Sequence, residues 1–213
     1  MPTLLQQKSP TGPRSGARAP RGGDGGGGLP PADGRAAPQT ALVGVGALLA
    51  AVAMLFVAFT TAYLARRQEA GWIAIAVPPV LWLNTAVLLV SSATLESARS
   101  RVARGDAAGF LRGLWETAAL GVLFLLGQVA AWRQLSAQGL YLAGNPHSAF
   151  FYLLTGVHGL HLLGGLGALG WVLHRASGGA YTPRAHAGVG VFALYWHFMD
   201  GLWLYLFALL FWA

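Results

Sequence analysis

"SAFFYLLTGVHGLHLLGGLGALGWVL", residues Ser148 to Leu173, runs for 26 residues without an Asp, Glu, Lys or Arg. A helix rises about 1.5 Å per residue, so this stretch exceeds the ~20 residues needed to cross ~30 Å of hydrocarbon. Inside lipid a segment must satisfy its own backbone hydrogen bonds, which makes an α-helix its simplest structure. Four more predominantly apolar segments exceed the same length: Ala41 to Leu64, Trp72 to Leu95, Phe110 to Trp132 and Val189 to Trp212. Composition agrees: 55% of residues are hydrophobic, 10% are charged and the mean hydropathy is +0.53, against roughly 25% charged residues in a soluble domain. The sequence therefore predicts an all-α, polytopic membrane protein, a bundle of five transmembrane helices spanning residues 39–213.

Residues 1–38 read differently. They hold seven of the 11 prolines, the run "GGDGGGG" and five basic residues. Such a segment cannot bury enough apolar surface to offset its chain entropy, and the expectation is a disordered cytoplasmic tail. The 14 Lys and Arg against 7 Asp and Glu fall between the apolar segments rather than along one face, which argues for membrane topology and against nucleic-acid binding. The tail, Arg99, Arg101, Arg104, Arg175 and Arg184 would share one side, with Arg66, Arg67 and Arg133 opposite. The positive-inside bias then puts the N-terminus in the cytoplasm and the C-terminus outside. No cysteine is present, so disulfides, thiolate metal sites and covalent c-type haem attachment are excluded.

Polar residues within the spans carry the functional signal, because each is costly unless paired or facing protein. In the second span Asn84, Thr85, Ser91, Ser92 and Thr94 read as hydrogen-bonding contacts between helices, and Glu96 closes the segment at the cytoplasmic border. In the third, Arg112 and Glu116 stand at i, i+4, as an interfacial ion pair or with the carboxylate collecting protons. In the fourth, His158 and His161 stand at i, i+3, among glycines that would admit another backbone or a lipid chain. In the fifth, His197 and Asp200 repeat that spacing. Histidine is the commonest metal ligand, and a haem held by His158 with His197 is one reading. Uncommitted interior packing and a polar pocket at a lipid or subunit contact are the others.

The strings "LNTAVLLVSSATLESA", "GQVAAWRQL", "LAGNPHSAFFY", "FFYLLTGVHGLHLLGG" and "LYWHFMDGLWLYLFALLFW" resemble subunit III of the haem-copper oxidases, the cytochrome c oxidase subunit III family, in its bacterial, shortened five-helix form. The resemblance runs from residue 41 to 213. It implies a bundle without haem or copper, those groups residing in the partner catalytic subunit, together with bound phospholipids and support of proton uptake. His158 and His161 match the family's paired histidines, and Trp196, His197, Asp200 and Trp203 its last-helix motif; these six are candidates for lipid or subunit contact. Glu96, Glu116, His174 and His186 are candidates for a proton-collecting surface. One departure stands out. Where the family carries a serine-glutamate pair in the first helix, "AAVAMLF" places Ala51 and Val52, so the intramembrane carboxylate is missing.

The expected function is that of a non-catalytic accessory subunit of a proton-pumping cytochrome c oxidase of the aerobic respiratory chain, in a bacterial plasma membrane. Its expected partners are the catalytic subunit I, subunit II and phospholipids. Equivalent subunits serve quinol oxidases and nitric oxide reductases, and the sequence does not read the electron donor. A free-standing membrane haem protein is the alternative from another class, and an intramembrane hydrolase using Ser91 or Ser92 with His158 lacks an oxyanion motif.

Overall fold

The start of the second helix shows how local chemistry sets boundaries. Pro78 and Pro79 lack backbone N–H groups, and a residue before proline is pushed out of the helical region. The helix therefore begins at Val80 and runs to Ala103, with Pro79 as its N-cap. The expected span of Trp72 to Leu95 is thus displaced toward the C-terminus by about two turns. Glu96 consequently lies about 10 Å inside the end of that helix rather than at its border.

The computed structural model describes residues 36–68, 72 and 77–212. The expected tail lies outside these residues, except that the first helix already begins at Ala36. Among the described residues five helices are formed: α1 (Ala36–Arg66), α2 (Val80–Ala103), α3 (Ala107–Ala137), α4 (Pro146–Ser177) and α5 (Ala187–Trp212). All five are long and apolar enough to cross a membrane. The connections between α2 and α5 are short and chemically specified. Asp106 caps α3, its carboxylate accepting from the Gly109 N–H at 2.8 Å. Asn145 caps α4 through the His147 N–H at 2.9 Å, with Pro146 in the first turn. At the end of α2, Gly105 takes φ +83°, and the Asp106 N–H returns to the Arg101 carbonyl. Gly139 repeats this at the end of α3, with the Leu140 N–H on the Leu135 carbonyl.

Helices α2, α3, α4 and α5 form a closed ring in which each packs on two of the others, and α1 lies outside it against α4 and α5. The core is a single apolar cluster that includes Phe124, Trp196 and Trp203, all fully or almost fully buried. Val52, at the level of the missing family carboxylate, is itself buried beside Phe56. The tightest backbone approach is between α2 and α3. A Cβ added at Gly113 would stand 2.8 Å from the Ala98 Cβ and 3.3 Å from its Cα. Since backbone cannot yield as a flexible side chain can, Gly113→Leu should force the helices apart. We expect a loss of about 1–3 kcal/mol, read as a lowered thermal midpoint in detergent, whereas Gly44→Leu, which meets nothing within 4 Å, should leave the midpoint unchanged.

Candidate functional site

Helices α2 and α5 run antiparallel, and their facing sides carry matched polar residues. The Trp203 indole N–H donates to the Thr85 hydroxyl at 3.0 Å, and the Trp196 N–H to the Ser91 hydroxyl at 3.1 Å. Both indoles are buried, so each N–H needs the partner it finds. The same register brings Ser92, Glu96, His197 and Asp200 together further along the seam.

This cluster is a continuous hydrogen-bonded chain. Arg99 donates to Glu96 Oε1 at 2.5 Å, and that oxygen lies 2.6 Å from His197 Nε2. His197 Nδ1 lies 2.6 Å from the Ser92 hydroxyl, which donates to Asp200 Oδ2 at 2.5 Å. A serine hydroxyl has one hydrogen. While Ser92 donates to Asp200, Nδ1 must donate to Ser92. Exposure falls along it, from a Glu96 side chain 49% exposed and His197 36% exposed to Asp200 at 5%. Asp200 Oδ1 is buried without a hydrogen-bond partner.

The two histidines of α4 part company. Separated by about 60° around the helix, they face different neighbours. His158 is wholly buried, its ring 5.1 Å from Trp203 and 5.8 Å from Phe124, with neither nitrogen hydrogen-bonded. His161 donates from Nδ1 to the Val157 carbonyl at 2.8 Å and leans on Phe56 of α1. Both nitrogens of His197 lie within hydrogen-bond distance of α2 side chains, Ser92 and Glu96, whereas His158 sits among the rings of Trp203 and Phe124. Among the described residues, no three His, Asp or Glu side chains converge as metal ligands would.

The remaining candidates lie apart. Glu116 is exposed on α3, and it forms no ion pair with Arg112. His174 is exposed near the end of α4, and His186, in the α4–α5 connection, donates from Nδ1 to the Thr182 carbonyl at 3.2 Å. Of the four proton-collecting candidates, only Glu96 joins the polar chain. Sequence reasoning passed over His147, which is buried, stacked on Trp72 at 4.8 Å and touched edge-on by Tyr63. Its only local signal was the Asn145-Pro146 helix start. Asn84, Thr85, Ser91 and Thr94 are the interhelical contacts expected of them: Asn84 donates to the Phe124 carbonyl at 3.2 Å, and Thr94 meets Thr117 at 2.9 Å.

The profile of the cytochrome c oxidase subunit III family matches residues 42–213. The chain belongs to that family. It is 33% identical over 183 residues to a probable cytochrome c oxidase subunit 3 of Mycobacterium bovis, covering 82% of this chain and 88% of that protein. It is 34% identical over 180 residues to cytochrome c oxidase subunit 3 of Synechocystis, covering 82% and 76%. The protein of the same name from Thermostichus vulcanus is 32% identical over 182 residues, covering 82% and 88%. The accessory role in a haem-copper oxidase follows from that membership, and the five helices of membrane-spanning length agree with it.

In this subunit III, Ser92 is the one group that links His197 to Asp200. Ser92→Ala leaves Asp200, already lacking one partner, with both carboxyl oxygens unpaired, at a cost of about 1–3 kcal/mol. The expected outcome is a lower thermal midpoint for Ser92→Ala, with Ser97→Ala, on the exposed side of α2, as the unaffected control.

Proposed function

We propose that the chain is a cofactor-free accessory subunit that stabilises the catalytic subunit of a cytochrome c oxidase, binds lipid, and supports proton uptake from the cytoplasmic side of a bacterial plasma membrane. The observation that carries this reading is the Arg99–Glu96–His197–Ser92–Asp200 chain, which leads from a half-exposed carboxylate through both nitrogens of His197 to a buried one. On α2, Arg99 and Glu96 lie about 6 and 10 Å from the helix end; on α5, Asp200 lies about 20 Å in. A proton received at Glu96 has a hydrogen-bonded route inward.

Orientation follows from charge. Arg99, Arg101 and Arg104 flank the α2–α3 connection, and Arg175 and Arg184 the α4–α5 connection, so this side is cytoplasmic by the positive-inside bias. The N-terminus shares it and the C-terminus lies outside. Lipid has a seat between α1, α4 and α5, a groove lined by Leu48, Gly164, Trp171, Phe192 and Tyr195. Arg175 lies 5.1 Å over the Trp171 ring at its cytoplasmic end, where it can pair with a phosphate head group.

Purification through a tag on the N-terminal segment should bring down a large partner carrying haem and copper, with oxygen consumption driven by reduced cytochrome c. A chain that came away alone with its own Soret band would overturn the accessory reading. In the assembled complex, Glu96→Gln with Glu116→Gln should slow proton uptake from the cytoplasmic side several-fold while leaving haem content intact. Unchanged uptake kinetics would remove the proton-collecting role.

A further inference from the structure

Two buried side chains of the bundle, His158 and Gln128, have no hydrogen-bond partner among the described residues. Glu116 is the opposite case, a carboxylate on the outer surface. Of the other acidic side chains in the described helices, Glu96 pairs with Arg99 and His197, and Asp200 is buried against Ser92. Glu116 is exposed and has no hydrogen bond or ion pair to any described residue. Arg112 stands four residues before it, the less favourable order for such a pair on a helix.

Depth makes that exposure costly. The Arg101 guanidinium donates to the Gly109 carbonyl at 3.1 Å, which marks the level of the basic rim on α3. Glu116 is seven residues further in, or about 10 Å. The length of the helix agrees. Its 31 residues make about 46 Å, so roughly 8 Å overhangs the ~30 Å hydrocarbon at each end, and Glu116 lies about 6 Å below the border. An ionisable side chain at such depth is stable facing protein rather than lipid. The surface around it has the pattern that packs helices together. Arg112, Glu116, Ala119, Leu123, Leu126 and Ala130 follow one another at alternating spacings of four and three, the repeat that keeps one stripe of a helix turned toward a partner helix. All are exposed except the half-exposed Ala130, so no described part of this chain covers the stripe. It runs for about 27 Å, close to the full hydrocarbon thickness, with alanines where a second backbone can come near.

We propose that this stripe of α3 docks a transmembrane helix of another chain of the oxidase, one that presents a cationic or hydrogen-bond-donating side chain to Glu116. The inference rests on the accessory-subunit reading and adds a face by which the subunit is held. Charge argues against a second copy of this chain as the occupant. Both copies would cross the membrane in the same direction, and a two-fold axis along the membrane normal would set Glu116 against its own counterpart. Acyl chains offer the carboxylate no donor. The proton-collecting role of Glu116 has the same need, since hydrocarbon has nothing with which it can exchange a proton.

The test places a photoactivatable residue at Leu123 in the full chain, produced with its own oxidase, and irradiates the native membranes. The expected product is an adduct with one other oxidase chain, identified by mass spectrometry. Its yield should fall several-fold when Glu116→Leu is added and be largely kept with Glu116→Gln, which retains an acceptor. Ala119→Trp should cut the yield several-fold through bulk alone. Both positions are exposed, so neither change reaches the buried core. Adducts with lipid alone, or with a second copy of this chain, overturn the proposal, as does a yield indifferent to both substitutions. Haem and copper in the tagged preparation report separately on the accessory reading: where they are present, a lipid-only adduct removes this docking face and leaves that reading standing.

Discussion

Everything else in the bundle hangs on the register between α2 and α5. Lipid chains are as apolar as leucine, so helices in a membrane gain little by hiding apolar surface from one another. What selects one docking over a slipped one is polar matching: Trp203 on Thr85, Trp196 on Ser91, His197 and Asp200 on Ser92. A slip by one turn would leave two buried indole N–H groups and a buried carboxylate without partners. α5 also touches α1 and α4, and it holds them by phenols, with Tyr205 donating to Thr60 of α1 and Tyr195 to the His161 carbonyl of α4. Fixing α5 on α2 therefore fixes the placement of two further helices, α1 and α4.

The same register creates the gradient on which the site depends. One end of the polar chain is half-exposed and carries Arg99 and Glu96; the other is a buried Asp200. Burying an aspartate is costly unless it is hydrogen-bonded or protonated, and Ser92 supplies the single hydrogen bond available. At the neighbouring interface α3 is held against α2 by the Gly113–Ala98 approach and the Thr94–Thr117 bond. Between α3 and α4 the packing is looser, with glycine where larger residues would close the gap, and there Gln128 is left unserved by protein.

Much of the site was legible as residue types and little of it as partners. The i, i+3 spacing of His158 and His161 was plain, and it put them on neighbouring turns of one helical face. Their 60° separation instead sends one between Trp203 and Phe124 and the other toward Phe56. His197 and Asp200 were read together and are joined, but through Ser92 on another helix. Arg112 and Glu116 had ideal helical spacing and form no pair, since on an exposed face such a bond is worth only a few tenths of a kcal/mol. The second helix was misplaced because hydropathy counts apolar residues across Pro78 and Pro79, while the backbone cannot continue a helix through them.

By itself the sequence determined the class of the molecule. Five predominantly apolar runs of membrane length leave only helices, because lipid offers backbone groups no other partner, and the motif strings carried the subunit III resemblance over most of the chain. Only the tertiary structure decided which polar side chains meet. Residues as distant as Ser92 and Asp200 come into contact only when two helices adopt a register. That register is chosen by the sum of indole, hydroxyl and carboxylate pairings along the whole seam, a quantity no local window of sequence contains.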